Sequence, residues 1–337
     1  MKRFLFSFLA LVILFSLSAS IAKEKRTADK GLYITYWISQ TRNRFDYIKK
    51  QAKAAGFNTL IIDVKQKIEA PLIPLVKSRS LNDRYEVQAD PWLTQLVKEL
   101  HEEGFIVSGR IVVFKDDHLA IARPDLAITG YRDRKGGRWV SPHLKEVRLY
   151  NALIAEIAAK SGIDEVQFDY IRFPAEGAIP TDRRSKVDAI NQFLKEAKER
   201  LQKYDVSIAV DIFGVTAWQS DFDIKTLGQS IEAMAEYIDV LCPMLYPSHF
   251  HNGYDGFANP GDHPYYFINS GVAKSLELIG DKKVKLVPWL QGFALGTNNF
   301  GKNYIQQQIN ACTDEGVSSF LIWNAGNRYD SLPVKNN

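Results

Sequence analysis

Short apolar runs that alternate with amphipathic stretches constrain this 337-residue chain more than any other feature. The runs lie at 31–37, 59–64, 105–114, 166–169, 206–213, 238–244, 285–290 and 319–323. Helical spacing is read at 44–55, 144–161, 185–204, 224–237 and 304–314. A further helix starts at Asp90-Pro91, a capping residue followed by a first-turn proline, and ends at Gly104. This alternation is the signature of a parallel sheet covered by helices. Eight strand–helix periods predict an α/β chain folded as a (β/α)8 TIM barrel, whose usual size is about 250 residues. A doubly wound open sheet is the alternative, but no glycine-rich phosphate loop follows the first strand.

Three connections are longer than the rest, 65–89, 115–143 and 245–270, and each follows a strand C-terminus. In a barrel they rise on one face and build a cleft there. The domain is expected over 30–330, with a tail at 331–337. Ahead of it, Lys2 and Arg3 precede an apolar run at 4–17, and Ser20-Ile21-Ala22 offers small residues for cleavage. That is the layout of a secretory signal peptide over 1–22 with a linker at 23–29, and it predicts a secreted or cell-envelope protein. An uncleaved N-terminal anchor is the other reading of the segment, and only then is the membrane a partner.

Composition narrows the function classes. A net charge of +4, without a basic stripe interleaved with aromatics, argues against a nucleic-acid partner. Cys242, inside a strand, and Cys312, near a helix end, supply neither a disulfide framework nor a zinc site and read as buried free thiols. His249 and His251 share a loop with Tyr254, Asp255, Asp262 and His263, without metal-ligand spacing. No nucleophile elbow occurs. Neither a metal nor a cofactor is expected.

A barrel keeps its active site at the C-terminal ends of its strands. Residues 165–174 read Glu-Val-Gln-Phe-Asp-Tyr-Ile-Arg-Phe-Pro, a strand that closes on Asp169 and breaks into Arg172. An acid at a buried strand tip does nothing for the core, so it reads as catalytic or as half of a structural ion pair. The other tips bring Tyr36 and Trp37, Asp63 and Lys65, Arg110 with Lys115, Asp116 and Asp117, then Asp211. Later tips bring Tyr246 with Ser248 and His249, Trp289 with Gln291, and Trp323 with Asn324. Within strands, Asp63, Arg110 and Asp211 need partners, and a barrel-core network among them is one solution. Trp37, Trp139, Trp218, Trp289 and Trp323 fall at strand ends or in long connections, where flat rings suit sugar faces; ordinary packing is their alternative use.

The segments Phe168-Asp169-Tyr170-Ile171-Arg172-Phe173-Pro174, Val210-Asp211-Ile212-Phe213-Gly214, Pro243-Met244-Leu245-Tyr246-Pro247-Ser248-His249 and Pro288-Trp289-Leu290-Gln291 belong together. In this order they resemble a bacterial family grouped with the TIM-barrel glycoside hydrolases, whose domain is of unknown function. The resemblance covers about 30–330 and implies a glycosidase. More distantly, α-amylase-type and α-galactosidase-type barrels end their fourth strand in a nucleophilic aspartate, which matches Asp169 in position. The α-amylase type places a glutamate acid/base on the fifth strand, where this chain has Asp211. It also expects an aspartate on the seventh, which here ends in Gln291 and Gly292.

The expectation is an exported glycoside hydrolase acting on a cell-envelope or environmental polysaccharide. Asp169 and Asp211 are the catalytic candidates, one ionised and one protonated. Asp63 and Asp116 stand behind Asp211, and Asp116, Asp117 and Glu176 are the substitutes from loops. Arg172 is expected beside Asp169, keeping it charged. Candidate substrate contacts are Asp63, Arg110, Arg172, Tyr246, His249, Trp289, Gln291 and Trp323, with Trp289 and Trp323 as a stacking floor. Two other readings stay open: a catalytically inert barrel that binds glycan, and an envelope interaction protein.

Overall fold

The computed structural model describes residues 25–176 and 183–333. The expected export segment at 1–22 lies outside them, as do residues 23–24 of the linker and 334–337 of the tail. Nine strands form one closed parallel sheet: β1 (Lys30–Ile34), β2 (Thr59–Asp63), β3 (Ile106–Val112), β4 (Glu165–Asp169), β5 (Ser207–Phe213), β6 (Val240–Met244), β7 (Lys285–Leu286), β8 (Trp289–Gln291) and β9 (Phe320–Trp323). Pairing of β5 with β6 and of β9 with β1 closes the ring. β7 and β8 both pair with β6 and are two pieces of one stave. The break falls at Val287-Pro288, since proline has no N–H for the ladder. The result is an eight-stave barrel ringed by helices, the TIM fold that the alternation predicts.

Strand alternation decides which side chains enter the barrel. Leu60, Ile62, Val166, Phe168, Val210 and Ile212 face outward and share a continuous core with the helices Pro91–Glu102 and Lys145–Lys160. Tyr33, Ile61, Ala209, Val240, Cys242, Trp289 and Leu321 pack together inside. Burial on both faces is why the strands read as nearly unbroken apolar runs. Packing inside is close at Gly31, where a Cβ would sit 2.5 Å from Ile61 and 2.6 Å from Leu321.

Residues 25–29 of the expected linker close the N-terminal end of the barrel. The Ala28 N–H donates to Glu165 Oε2 at 3.0 Å, Asp29 O accepts from Phe320 N at 2.8 Å, and Arg26 pairs with Asp164 at 3.0 Å.

Three local expectations change. Thr35 Oγ1 accepts from the Ile38 N–H at 3.2 Å and caps a short helix, Tyr36–Ser39, so Tyr36 and Trp37 leave the first strand. Two short helices, Asp221–Leu227 and Ile231–Met234, replace the single one at 224–237. The 245–270 connection is shorter than expected, because the helix Pro264–Ile279 begins within it and covers the stave β7–β8.

Candidate active site

β2 and β3 set Asp63 opposite Arg110, and β4 sets Asp169 opposite Val112, one pleat nearer the cleft. The Arg110 guanidinium bridges the two acids: Nη1 donates to Asp63 Oδ1, Nη2 to Asp169 Oδ2, and Nε to the same Asp169 oxygen at 3.1 Å. Tyr33 OH donates to the free oxygen of Asp63 at 2.5 Å. The guanidinium also lies 5.4 Å from the Tyr33 ring and 5.1 Å from that of Trp323, and these two rings stack at 3.9 Å. Burial pulls Arg110 toward neutrality, but Asp63 and then Asp169 outweigh it and hold its pKa well above the ordinary arginine value. The second Asp169 oxygen accepts from the Tyr170 N–H at 2.5 Å. Tyr170 achieves this at φ +50°, a left-handed conformation that costs a residue with a Cβ about 1–3 kcal/mol.

Asp211 stands in the opposite environment. The β4–β5 register places Phe168 against Val210, so Asp169 and Asp211 come level on neighbouring staves and both point inward. The Asp211 carboxyl is 1% exposed and accepts the Trp289 indole N–H at 2.6 Å. Burial, then the charge of Asp169, push it well above the ordinary aspartate range; Arg110 and the indole N–H oppose this without cancelling it. Asp211 therefore keeps its proton where an ordinary carboxyl has lost it. Nearby, the buried Tyr246 hydroxyl has no hydrogen-bond partner among the described residues, and burial followed by Asp211 keeps it a phenol.

A cavity of about 510 Å³ opens over the strand C-termini, bordered by Asp169, Arg172, Tyr246, His249 and Trp323. A polar annex of about 320 Å³ shares Arg110 and Tyr170 with it and adds Asp63 and Lys115. Both volumes fall in the range of small-ligand clefts. Asp211 lies beneath this wall. Asp223, which the sequence reading passed over, lies in it, on the helix Asp221–Leu227, and partial burial raises its carboxyl pKa. The signal was present as an acid in the first helix after the tip of β5.

Several other expected contacts are redistributed. Arg172 is not the partner of Asp169, because the chain turns at Tyr170 before reaching it. Its Nη1 donates to Phe173 O at 3.0 Å, and the guanidinium lies over Phe213, Trp139 and Tyr170. Trp289 is 1% exposed, edge-on to Trp323 at 5.6 Å, so its ring is interior packing and only Trp323 of the pair offers a surface to the cavity. Gln291 is fully buried and braces two loops: Nε2 donates to Phe293 O at 2.9 Å and Leu295 O at 3.0 Å, and Oε1 accepts from Ser248 N at 3.1 Å. Asp116 caps the helix Asp117–Ala122 and pairs with Lys65 at 2.7 Å, while Lys65 also donates to Asn151 at 2.9 Å. Asp117 accepts from the Arg138 N–H at 2.8 Å, and Glu176 pairs with Arg134 at 3.0 Å. Tyr246 and His249 do border the cavity, their rings 5.1 Å apart, and burial lowers the pKa of His249. Trp37 is 73% exposed on its short helix, while Trp139 and Trp218 pack against Tyr170 and Phe250. Cys242 and Cys312 are both free and buried, as expected.

Barrels of this form occur among solved glycosidases. The glycoside hydrolase domain of PgaB (BpsB) from Bordetella bronchiseptica matches with a TM-score of 0.62 at 12% identity, over 89% of this chain and 95% of that one. A chitinase from Chromobacterium violaceum matches at 0.55 and 10%, over 90% and 96% of the two chains. The α-galactosidase TtGalA from Thermus thermophilus matches at 0.53 and 13%, over 92% of this chain and 60% of its own. At these identities what is shared is the fold. No curated protein matches the sequence. The family model described as "Putative glycosyl hydrolase domain" matches residues 31–329, from the first stave past the last, and the chain belongs to that family.

Proposed function

We propose that this protein is an exported glycoside hydrolase that cleaves a cell-envelope or environmental polysaccharide with a pair of carboxyl groups at the barrel mouth. The observation that carries this reading is the division between two acids on neighbouring staves. Asp169 is the anionic partner of Arg110 and borders the cleft, while Asp211 is raised by burial and retains its proton. Glycoside hydrolysis needs that division: a charged carboxylate to attack or to stabilise an oxocarbenium ion, and a neutral carboxyl to protonate the leaving oxygen. Tyr246, His249 and Trp323 hold the sugar in this scheme. Export rests on Lys2, Arg3 and the apolar run at 4–17.

A second assignment of the proton donor is favoured by position. A general acid must reach the oxygen it protonates, and Asp223 borders the cavity whereas Asp211 lies under it. Release of reducing ends from purified envelope polysaccharides tests the whole scheme. Wild type should release product, and Asp169→Asn should lose roughly a thousandfold or more in kcat. Of Asp211→Asn and Asp223→Asn, the variant that loses the alkaline limb of the pH–rate profile identifies the donor. A protein that is retained on a glycan array yet releases nothing from any polymer is an inert binding barrel, and the catalytic reading then fails.

A further inference from the structure

Among the described residues, Lys65, Arg110, Arg123, Arg172 and Lys186 are cations more than nine-tenths buried. Three of them are answered by acids: Lys65 by Asp116, Arg110 by Asp63 and Asp169, and Arg123 by Asp125 and Glu146. Lys186 donates to the Thr226 carbonyl at 3.2 Å and does not border the cleft. Arg172 does border it, and has no carboxylate at ion-pair distance among the described residues.

The surroundings of Arg172 show what is missing. Among the described residues its one hydrogen bond, from Nη1 to Phe173 O, leaves most of a guanidinium's donors unused. The rings of Phe213, Trp139 and Tyr170 lie 4.0, 4.8 and 5.2 Å from its central carbon. Aromatic faces offset part of the cost of burying a cation, but they give a planar fork of N–H groups no in-plane acceptor. Burial lowers its pKa to about 10, which leaves it charged at neutral pH. Such a fork is shaped for two parallel hydrogen bonds to a carboxylate or phosphate. The charges of Asp169 and Glu176 act on Arg172 through space, but no acid among the described residues fills that position. Asp169 is held by Arg110, Glu176 by Arg134, and Asp223 is biased toward its neutral form.

We propose that Arg172 receives an anionic substituent of the bound sugar, so that the glycan taken by this cleft is acidic, bearing carboxylate or phosphate groups, rather than neutral. The charged sugar sits beside Asp169, since both residues border the same cavity. This rests on the cleft being a glycan site, as in the proposed function, but not on turnover.

The test is a calorimetric titration of the full chain with glucose, glucuronate and glucose 6-phosphate. At least one acidic sugar should bind roughly tenfold or more tightly than glucose, the size expected for hydrogen bonds to a buried charge. Preference for glucuronate alone identifies a carboxylate substituent, and preference for glucose 6-phosphate alone a phosphate. Arg172→Gln should abolish the preference by weakening the acidic sugar and leaving glucose unchanged. Arg172→Lys should keep part of it, as a point charge without the fork. Equal binding of all three sugars, binding of none, or a preference that survives Arg172→Gln overturns the proposal. If the Gln variant does not fold, the wild-type ratio of acidic to neutral affinity decides alone. A protein that prefers acidic sugars but cleaves no polymer removes the hydrolase reading and leaves this one standing. One that cleaves neutral polymers without such a preference does the reverse.

Discussion

The two halves of the barrel mouth treat buried polar groups in opposite ways. At the mouth ends of β2, β3 and β4 the acids have cations: Asp63 and Asp169 share Arg110, and Asp116, just past β3, holds Lys65. Across β5, β6 and β8 no cation pairs with an acid among the described residues. Burial raises Asp211, Cys242 and Tyr246 toward their neutral forms, and the Tyr246 hydroxyl lacks a partner among the described residues. Burial does not separate the halves, since Asp169 and Asp211 lie in register on adjacent staves and are 4% and 1% exposed. The difference is whether a guanidinium arrives. The fork of Arg110 reaches Asp169, while Asp211 receives an indole N–H, which donates a hydrogen bond but carries no charge. One arginine thus pairs with one of two similar carboxyls and leaves the other to an uncharged donor. Buried groups without partners are costly, and among the described residues the Tyr246 hydroxyl is one of them.

Removing the cation should break the contrast with the largest effect. Arg110→Met leaves Asp63 and Asp169 buried without their shared cation, a situation that costs about 3–5 kcal/mol. Urea unfolding measures it. A loss under about 1 kcal/mol, the scale of an exposed pair, would mean that the acids are solvated or protonated and that the halves do not differ.

The two tryptophans of the mouth sharpen the same comparison. Trp289 is 1% exposed, so Trp289→Ala should destabilise the barrel by about 3–5 kcal/mol, as for a buried aromatic ring. Trp323 presents part of its ring to the cavity, so Trp323→Ala should cost more in glycan affinity than in melting temperature. Paired melting and affinity measurements that fail to separate the two variants would place both rings in one environment, against the geometry.

How far the sequence disclosed all this depended on whether the deciding contact was local. Strands such as Thr59–Asp63 and Ser207–Phe213 were legible because burial on both faces leaves nearly continuous apolar runs. The helix Pro264–Ile279 was not, because its first turn, Pro-Tyr-Tyr-Phe, follows a stretch of His, Gly, Asn and Asp that reads as loop. Trp37 was misplaced because a cap by Thr35 outweighs the β propensity of the Tyr-Trp pair. In the site, a charged network involving Asp63 and Arg110 was foreseeable, since buried charges demand partners. Which acid Arg110 would choose was not, because that depends on register across three staves. Gln291 illustrates the same limit: its position at a strand tip was legible, but its use in bracing the Phe293 and Leu295 carbonyls was not.

The smallest expected effect tests the neutral half directly, through the pH dependence of stability. In the unfolded chain the Asp211 carboxyl titrates near 3.8, and in the fold it titrates well above that value. Between those two points the folded state binds a proton that the unfolded state has released. Stability must therefore fall as pH rises through this window, the reverse of the usual salt-bridged aspartate. Asn carries no such proton, so Asp211→Asn should melt above wild type at about pH 8 and converge with it below about pH 3, where the carboxyl is protonated in both states. A difference of about 2–4 °C corresponds to 1 kcal/mol in a chain somewhat smaller than this one. Glu165, at the foot of β4, is also raised by burial and adds a pH slope of its own. The charge of Glu165 also acts on Asp211, so the comparison made in a Glu165→Gln background isolates Asp211. If the difference does not change with pH, or if Asn melts lower at the alkaline end, Asp211 is an anion in the folded barrel. The division of labour between the two acids then disappears, and with it the argument that they form a catalytic pair.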